Sequence, residues 1–417
     1  MLRGVADCED PRVTLPLGVP RNLSFHLIGV SHHTTPVEVR ERFAFNPPET
    51  AASLELLKAN GMPAVLLSTC NRCELYWSGS GEGEAWFHRL GRNAPEPMPA
   101  GLVLTQHEGM AAVRHLFRVC SGLDSQILGE VEVLGQVRRA YDVARAAGTT
   151  TREMDLIFSA ALATGRRVRR ETLLGRHPSS VSSAAVDLVL QEWQACDRPE
   201  VVVLGAGEAA EGVLRAFHQR GAAQVTLLSR APEKAGVLAA AWGARVGPLT
   251  ELEHRLPETD ILMVATASSR PVVTAAELSQ AIAARSGSKL VVVDLAVPRN
   301  VEPESRSIPG LQLLDLDDLQ RLCCPAAGSP SAALADAEGI LEDELIRLGL
   351  SLRGRTAAPQ LADLHQISRQ MAEQESEWAL AQLETLSPAE REIVRKMADR
   401  LVRRVLFPLS QNLRVES

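Results

Sequence analysis

The 417-residue chain is 45% hydrophobic, 23% charged and 4% aromatic, and its formal net charge is -7 at pH 7. This length predicts about two to four domains, because most domains hold roughly 100–150 residues. The acidic balance argues against a protein coated with nucleic acid, and the few aromatic residues argue against extended base-stacking surfaces. A tRNA partner stays compatible with these numbers, since it needs only a local basic patch.

Seven cysteines are scattered along the chain, and their odd number favours a reducing compartment over a disulfide framework. The first residues, MLRGVADCEDPR, lack the apolar stretch of a secretory signal. No run reaches the roughly 18 apolar residues of a membrane span. The sequence therefore predicts a cytoplasmic protein that does not associate with a membrane.

The first half of the chain is predicted to form an α/β domain over 24–177, after a flexible extension over 1–23 that holds three prolines. Strands and one helix alternate in the runs FHLIGV, TAASLELLKAN, PAVLLS and LYW. The stretch 79–101 is predicted as a loop. Apolar residues at helical spacing then predict three helices, at MAAVRHLFRV, ILGEVEVLGQVRRAYDVA and MDLIFSAALATGRRVRRE.

Residues 178–325 alternate apolar strand-length runs with helical stretches, which predicts a Rossmann-like, doubly wound parallel sheet. The first run, VVVL, leads into a glycine-rich turn that opens a helix. The first glycine permits a tight turn, and the second lets the backbone approach a pyrophosphate at the helix N-terminus. The predicted dinucleotide-binding residues of this turn are Gly205, Ala206, Gly207, Glu208, Ala209 and Ala210.

The end of the second strand of this domain indicates which dinucleotide is bound. Enzymes that use NAD place an acidic residue there to hold the ribose 2′-hydroxyl. This chain has Ser229 and Arg230 instead, and Lys234 follows shortly after. Since a cation suits a 2′-phosphate, the sequence predicts NADPH as the cofactor.

Residues 326–417 are predicted to form an all-α domain. Ser387 begins a capping box for its last helix, and Pro408 is predicted to end that helix. Two apolar stripes favour a dimerisation module, although a bundle packed on its own chain stays open. The stripes consist of Leu364, Met371 and Trp378, and of Ile393, Met397, Leu401 and Val405.

Cys70 is the candidate nucleophile, in the polar stretch STCNRCE after an apolar strand. A structural cysteine, and a dithiol or metal site with Cys73, are the competing interpretations. We discount a metal, because no further ligand pair at metal-binding spacing accompanies the CxxC. As a nucleophile, Cys70 would lie near Arg72, whose charge would lower the pKa of the thiol. Attack by this thiol forms a thioester, and a thioester accepts hydride readily. The nucleophile interpretation therefore also explains the presence of a nicotinamide domain.

Several long motifs in fixed order, from about Phe25 to the C-terminus, resemble the glutamyl-tRNA reductase family. They are GVSHHTTPVEVRE, STCNRCELY, AVRHLFRVCSGLDSQILGEVEVLGQV, RRVRRET, GAGEAAEG and DLAVPRNVEP. The resemblance implies that Cys70 attacks the ester of glutamyl-tRNA and that NADPH reduces the thioester to glutamate-1-semialdehyde. This reaction is the first step of tetrapyrrole (5-aminolevulinate) biosynthesis.

The resemblance also implies the other site residues. His115 matches the active-site histidine of the family. The matching substrate-binding positions are Thr69, Asn71, Arg72, Ser125, Glu130, Glu132 and Gln136. Val131 and Glu132 stand where the family usually has proline and glutamine, so a carboxylate replaces an amide at the second position.

The implied architecture is a homodimer, in which a long helix joins the catalytic and NADPH domains to the dimerisation domain. The implied partners are glutamyl-tRNA and, transiently, glutamate-1-semialdehyde aminomutase, which consumes the unstable aldehyde. Two basic stretches are candidate tRNA contacts. They are Arg166, Arg167, Arg169 and Arg170, and then Arg395, Lys396, Arg400, Arg403 and Arg404.

Other functions stay open at this point. A catalytically diverged paralogue would bind tRNA or a partner without reducing it. An NADP-dependent hydroxy-acid dehydrogenase would not need Cys70, and a thiol–disulfide protein would use Cys70 with Cys73. The same pair predicts a redox switch, in which oxidation joins the two thiols and stops the reductase.

Overall fold

The computed structural model describes residues 23–90, 103–130, 132–175, 180–192, 198–221, 224–285, 289–323, 332–383 and 386–416. The predicted extension 1–23 therefore lies almost wholly outside the described residues. Two compact units are present. One is Ser24–Leu341, which holds both sheets, and the other is the helical chain from Glu342 onward.

The first sheet is antiparallel, with four strands in the order β2-β3-β1-β4. Three of the strands confirm the apolar runs that predict them. The strands are β1 (Phe25–Ser31), β2 (Ala64–Ser68), β3 (Arg72–Ser78) and β4 (Thr105–Glu108). The helices of this domain are α1 (Val37–Arg40), α2 (Pro47–Ala59), α3 (Gly83–Leu90), α4 (Gly109–Cys120), α5 (Glu132–Ala147) and α6 (Arg152–Glu171).

An aromatic cluster joins this sheet to α6. The ring of Phe158 meets Tyr76 edge-on with centroids 5.6 Å apart, and it stacks on Tyr141 of α5 at 5.2 Å. Phe25 of β1 stacks on Tyr76 at 6.0 Å. The four rings are nearly excluded from solvent, so they fix α5 and α6 against one face of the sheet.

Two local predictions for the first domain are wrong, and one strand is not predicted. Residues Gly83–Leu90 of the predicted loop form a helix, whose apolar side buries Phe87. Thr105–Glu108, for which the sequence predicts no element, form an edge strand that pairs with β1. The stretch before α5 is a series of turns that includes Gly129 at a φ of +81°, so the predicted helix begins only at Glu132.

The second sheet confirms the doubly wound prediction, because six parallel strands lie in the order β10-β9-β8-β5-β6-β7. Its strands are β5 (Glu200–Leu204), β6 (Gln224–Ser229), β7 (Arg245–Pro248), β8 (Ile261–Val264), β9 (Leu290–Asp294) and β10 (Leu311–Leu314). Its helices are α7 (Val181–Glu192), α8 (Glu208–Arg220), α9 (Pro232–Trp242), α10 (Leu252–Arg255), α11 (Ala275–Ala284) and α12 (Leu316–Cys323).

The central strands of this sheet are almost entirely apolar, since helices cover both of their faces. The strand order reverses between β5 and β8, which are the first strands of the two halves. A crevice at the carboxyl ends of the strands, at such a reversal, is where doubly wound folds bind their ligands. The glycine-rich turn follows β5 and therefore lies at this point.

The C-terminal part consists of the 51-residue helix α13 (Ala332–Gln382) and the 29-residue helix α14 (Pro388–Glu416). Ser387 caps α14 as predicted, because it exchanges hydrogen bonds with Glu390. The prediction that Pro408 ends the helix is wrong. A proline removes only one backbone donor, and the helical hydrogen bonds resume beyond it.

Large apolar side chains stand exposed on both of these helices. Trp378 of α13 is 65% exposed, and so is Ile393 of α14. Ile367, Met371, Met397 and Leu401 are likewise exposed. An ion pair of 2.8 Å between Arg395 and Glu377 links the two helices. All of these apolar residues except Ile367 belong to the apolar stripes that predict dimerisation, and large exposed apolar surfaces mark interfaces.

None of the helices that the structure describes is both long enough and apolar enough to cross a membrane.

Candidate active site

Cys70 lies in a tight turn between β2 and β3. The hydroxyl of Thr69 accepts hydrogen bonds from the backbone N–H groups of Asn71 and Arg72, both at 3.1 Å. The backbone N–H of His32, just after β1, donates to the carbonyl of Asn71 at 2.9 Å. A threonine that bonds to the following amides stabilises such a turn, so Thr69 fixes the backbone around Cys70.

The side chain of Cys70 is partly exposed and free of any disulfide. It packs against the apolar core of the second sheet, which Ala206 and Ala209 of the glycine-rich turn also border. Ile127, from the turns before α5, packs there too. The candidate nucleophile of the first domain therefore faces the nucleotide-binding domain.

The surroundings of Cys70 favour the thiol over the thiolate. Burial raises the pKa of Cys70 to about 12, and the charges of Glu130 and Glu132 act in the same direction. Arg40 is the cation that opposes this shift. The expectation that Arg72 lowers this pKa is therefore wrong, because its guanidinium is engaged elsewhere.

Arg72 is 2% exposed and forms a buried ion-pair cluster. Its Nη1 donates to Glu74 Oε1 and to Asp124 Oδ2, both at 2.8 Å. Its Nη2 donates to the backbone carbonyl of Asp124. Arg72 and Glu74 are two residues apart on β3, so they share one face of the strand. A substrate carboxylate at Arg72 would have to share the guanidinium with both acids.

Glu74 is completely buried and orients His115. His115 Nε2 lies 2.8 Å from Glu74 Oε1, and the hydroxyl of Tyr76 donates to Oε2 at 2.6 Å. Burial alone would raise the pKa of Glu74, but Arg72, His115 and these hydrogen bonds lower it to about 2. A carboxylate bonded to a histidine fixes the orientation and tautomer of its ring.

The predicted substrate-binding residues beyond this cluster lie on the turns before α5 and on α5 itself. Glu130 is 3% exposed. Burial raises the pKa of its carboxyl, whereas a hydrogen bond from Ser125 acts in the opposite direction. Burial and the charge of Glu130 raise the pKa of Glu132 to about 7. Gln136 is half-buried one helical turn after Glu132, so both lie on one face of α5.

Two ion-pair groups connect the first domain to the nucleotide-binding domain. Arg40 donates from both terminal nitrogens to Asp317 Oδ1 at 3.0 Å, and the N–H of Val37 donates to Asp317 Oδ2 at 2.8 Å. Arg299 pairs with Glu41 at 2.9 Å and with Glu38 at 3.1 Å. Together they hold the α1 segment on the second domain, close to Cys70.

The glycine-rich turn has the geometry that a dinucleotide requires. Gly205 has a φ of +112°, and a Cβ there would lie 2.2 Å from the carbonyl oxygen of Ala265. Gly207 caps the N-terminus of α8, and a Cβ there would meet no atom within 4 Å. The turn therefore leaves room for a pyrophosphate at the helix N-terminus. Glu208, the next residue of the motif, forms an exposed ion pair of 2.7 Å with Arg139.

The residues predicted to select NADPH follow β6 on the surface. The Ser229 hydroxyl accepts a hydrogen bond from the Ala231 N–H at 3.1 Å, which shapes the turn. Arg230 and Lys234 are exposed, and neither has an ion-pair or hydrogen-bond partner among the residues described. Both cations are thus available to a phosphate group.

The last two residues of the glycine-rich motif are less accessible, since Ala209 is partly buried and Ala210 is fully buried.

Cys73 differs from Cys70 in its surroundings. It lies in β3 opposite Val30 of β1 and Ser68 of β2, and it is 3% exposed. Burial raises the pKa of its thiol. Oxidation of this thiol therefore requires the strand to open, and the predicted disulfide switch with Cys70 stays a prediction.

Part of the positive charge of the two basic stretches is neutralised. Arg167 and Arg170 both pair with Glu171, and Arg169 donates to the Glu130 carbonyl at 3.0 Å.

In the described part of the chain, no group of three or more His, Cys, Asp or Glu side chains is arranged to hold a metal ion.

Four residues that contact a predicted site residue or the segment beside it are not predicted from the sequence: Glu74, Asp124, Arg40 and Asp317. For Glu74 a signal exists in RCELY, because charged residues alternate there with apolar ones on a strand. The pairings of Asp124 and Arg40 join residues far apart in the sequence, and no local pattern reveals them.

Family models match three successive parts of the chain. They are the glutamyl-tRNAGlu reductase N-terminal domain over residues 28–172, shikimate/quinate 5-dehydrogenase over 187–322, and the glutamyl-tRNAGlu reductase dimerisation domain over 336–417. The dehydrogenase match covers the parallel sheet and implies a nicotinamide cofactor.

Relatives match most of the chain. Glutamyl-tRNA reductase of Deinococcus radiodurans is 39% identical over 331 residues, covering 78% of this chain and 91% of that protein. The Moorella thermoacetica enzyme of the same name is 35% identical over 401 residues, covering 93% and 89%. The solved glutamyl-tRNA reductase from Methanopyrus kandleri is 28% identical, covers 94% and 98% of the two chains, and has a TM-score of 0.46. The chain belongs to the glutamyl-tRNA reductase family.

Proposed function

We propose that this protein reduces glutamyl-tRNA to glutamate-1-semialdehyde with NADPH, through a thioester on Cys70. The observation that carries the proposal is the position of Cys70. Its sulfur lies in a turn of the first domain and packs on the core of the nucleotide-binding domain, against which Ala206 and Ala209 also pack. An acyl group on this sulfur would therefore face the domain that holds the predicted cofactor site.

The first step is attack of the Cys70 sulfur on the ester carbonyl. A C–S bond forms, the C–O bond to the tRNA ribose breaks, and the tRNA leaves as an alcohol. The raised pKa of Cys70 means that the thiol must give up its proton during this step. Glu132, whose pKa of about 7 makes it a competent acceptor, can take this proton and pass it to the leaving oxygen.

The predicted cofactor is NADPH, and its pyrophosphate fits the open turn at Gly207. When bound, the nicotinamide supplies the hydride that converts the thioester to the aldehyde and frees the sulfur. Arg230 and Lys234 would hold the 2′-phosphate, since both are exposed cations just beyond β6. We assign proton transfer in the active site to His115, whose ring is oriented by its contact with Glu74.

The predicted partners follow from the product and from the C-terminal helices. An α-amino aldehyde is reactive, which favours direct transfer to the aminomutase that consumes it. The exposed apolar stripes of α13 and α14 favour a homodimer, because they include Trp378 and Ile393, each 65% exposed. The dimerisation-domain match supports the same assignment.

Acyl transfer tests the proposal directly. The protein is incubated with glutamyl-tRNA that carries a labelled glutamyl group, in the absence of NADPH. Wild type should acquire the label, and Cys70→Ala should not. Cys73→Ser, the matched control, should still acquire it, because Cys73 is buried in β3. Label on Cys70→Ala, or none on wild type, would contradict the covalent step.

A catalytically diverged paralogue is the second candidate. The raised pKa of Cys70 favours it, because the thiol and not the reactive thiolate is then the resting form. Such a protein would bind glutamyl-tRNA without acyl transfer. Oxidation of NADPH in a mixture of the protein with glutamyl-tRNA distinguishes the two candidates, because only the reductase oxidises NADPH.

A further inference from the structure

A partly exposed histidine, His107, lies on β4 at the edge of the first sheet. It pairs with Leu27 of β1, which in turn pairs with Tyr76 of β3. Directly paired residues of antiparallel strands share one face of the sheet, and Glu74 shares it too because it lies two residues before Tyr76. His107 is therefore on the face that buries Glu74, at the side where this face reaches the solvent.

The ring of His107 lies against the ring of His115. Their centroids are 5.3 Å apart, and their planes are inclined by 36°. Glu74 Oε1 holds His115 Nε2 at 2.8 Å, so Nδ1 is the nitrogen of His115 that can exchange a proton. Neither this Nδ1 nor the His107 ring has a hydrogen-bond partner in the described part of the chain. The two rings thus form a polar path from Glu74 to the edge of the sheet.

The charge state of His107 suits proton transfer. Burial and the charge of His115 lower its pKa from 6.5, whereas Glu74 and Asp124 act in the opposite direction. These are the titratable groups that act on the ring, and together they leave it neutral at neutral pH. A neutral imidazole has a donor on one nitrogen and an acceptor on the other, so it can take a proton on one side and release one on the other.

The proposed reaction consumes one proton in each turnover. In the acyl transfer the thiol proton of Cys70 leaves with the tRNA oxygen, so the solvent neither gains nor loses a proton. In the reduction a hydride adds to the thioester carbon and the C–S bond breaks. The sulfur must then accept a proton, because burial raises the pKa of this thiol to about 12. That proton comes from the solvent, with which His115, only 11% exposed, has little contact.

We propose that His107 passes protons from the solvent to Nδ1 of His115 and so supplies the proton that the reduction consumes. The inference rests on the proposed function and adds a residue to its proton path. At the observed separation, a single water molecule can bridge the two rings. His107 acts through His115 and needs no contact with the substrate.

The test separates the two halves of the reaction, because only the second takes a proton from the solvent. Acyl transfer is measured in a single turnover with labelled glutamyl-tRNA and no NADPH, and complete turnover is measured with NADPH in excess. His107→Gln should not change the rate of acyl transfer. It should slow turnover by about 10- to 100-fold, less than the full contribution of a general acid, because water still reaches His115 slowly.

Two further measurements distinguish proton delivery from support of the fold. The ratio of the turnover rates in H₂O and D₂O should be larger for His107→Gln than for wild type, because proton delivery then limits the rate. Imidazole in the buffer should accelerate turnover by His107→Ala, since it replaces the missing ring, and should not accelerate wild type. A purely structural role of His107 predicts neither result.

His26→Gln is the matched control. His26 is a partly buried histidine of the same sheet, and its ring stacks on Trp77 with centroids 5.0 Å apart. It precedes Leu27 in β1, so its side chain is on the opposite face from His107. This variant should leave acyl transfer, turnover and the isotope ratio unchanged.

A second histidine variant tests another path to the surface. His33 is about half exposed, and its Nε2 lies 3.4 Å from Asp124 Oδ1. Slower turnover in His33→Gln, together with unchanged turnover in His107→Gln, would assign the proton path to Asp124 and overturn the proposal.

The remaining outcomes also decide the matter. Equal slowing of acyl transfer and turnover by His107→Gln would mean that His107 only supports the fold. Unchanged turnover would mean that His115 takes its proton directly from water. If His107→Gln does not fold, the effect of imidazole on His107→Ala decides alone. Absence of acyl transfer in wild type would refute the proposed function and the inference with it, whereas failure of the proton path alone leaves that transfer intact.

Discussion

The two sheets of the larger unit use charge in opposite ways. In the first sheet, β3 buries Arg72 and Glu74 together, and Asp124 completes the cluster. In the second sheet the central strands are apolar, and the cations of the predicted cofactor site, Arg230 and Lys234, stay exposed. The first site is therefore part of the core, whereas the second lies on the surface of a core that does not depend on it.

Glu74→Gln should give the largest effect, because it leaves Arg72 buried with half of its counter-charge. We expect the free energy of unfolding to fall by about 3 kcal/mol, the lower end for a broken buried ion pair, since the amide keeps some hydrogen bonds. Urea denaturation followed by circular dichroism measures the change. The control is Glu84→Gln, an exposed partner of His88, which should stay within about 0.5 kcal/mol of wild type. A loss below about 1 kcal/mol for Glu74→Gln would mean that the cluster is not part of the core.

Glu132→Gln should have a smaller and pH-dependent effect. The pKa of this carboxyl is raised to about 7 from 4.5, so the folded state binds the proton more tightly than the unfolded state. Its contribution to stability is fully present below pH 4.5 and is lost as the pH rises through 7. The variant does not titrate there, so it should be more stable than wild type at pH 8. The rise in pKa corresponds to about 3.4 kcal/mol, and partial exposure of the carboxyl reduces the expected difference to about 2 kcal/mol.

The same two proteins should be equally stable at pH 4. Thermal unfolding across pH 4 to 8 measures the difference, and a constant difference would exclude titration of Glu132 as its cause. The rate at which iodoacetamide alkylates Cys70 at pH 7 gives a second measurement. This rate should increase in the variant, because one negative charge that raises the pKa of the thiol is gone.

Arg230→Ser should have the smallest effect on the fold and a selective effect on binding. We expect stability within about 0.5 kcal/mol of wild type, and about tenfold weaker binding of NADPH with binding of NADH unchanged. Calorimetric titration with each cofactor measures both. Arg245→Ser is the matched control, since Arg245 is exposed at the start of β7 and bonds only to Gln224 in the described chain. Equal loss for both cofactors would exclude a 2′-phosphate contact.

The sequence predicts the buried strands of both sheets better than the exposed edge strands, and the reason is physical. Runs such as VVVL and LVVVD indicate buried strands, so β5 and β9 are evident, as is the turn at Gly205. The edge strands β4 and β7 are short and at least half-exposed, so no apolar pattern reveals them.

The candidate site is predicted only in part. Local patterns predict Cys70 and the glycine-rich turn, and the family resemblance alone predicts His115. They do not reveal that Arg72 is already paired or that Arg40 is the cation acting on Cys70. Charged residues are usually exposed, so a sequence gives no sign that several of them are buried together.

Asp317 uses both carboxylate oxygens to hold the first domain, one on the Arg40 guanidinium and one on the Val37 amide. Any movement that separates Cys70 from the nucleotide-binding domain must break this contact and leave Arg40 without its counter-ion. Salt in the solvent screens such a buried pair poorly. The rate of any such separation should therefore respond little to ionic strength and strongly to the loss of the Asp317 carboxylate.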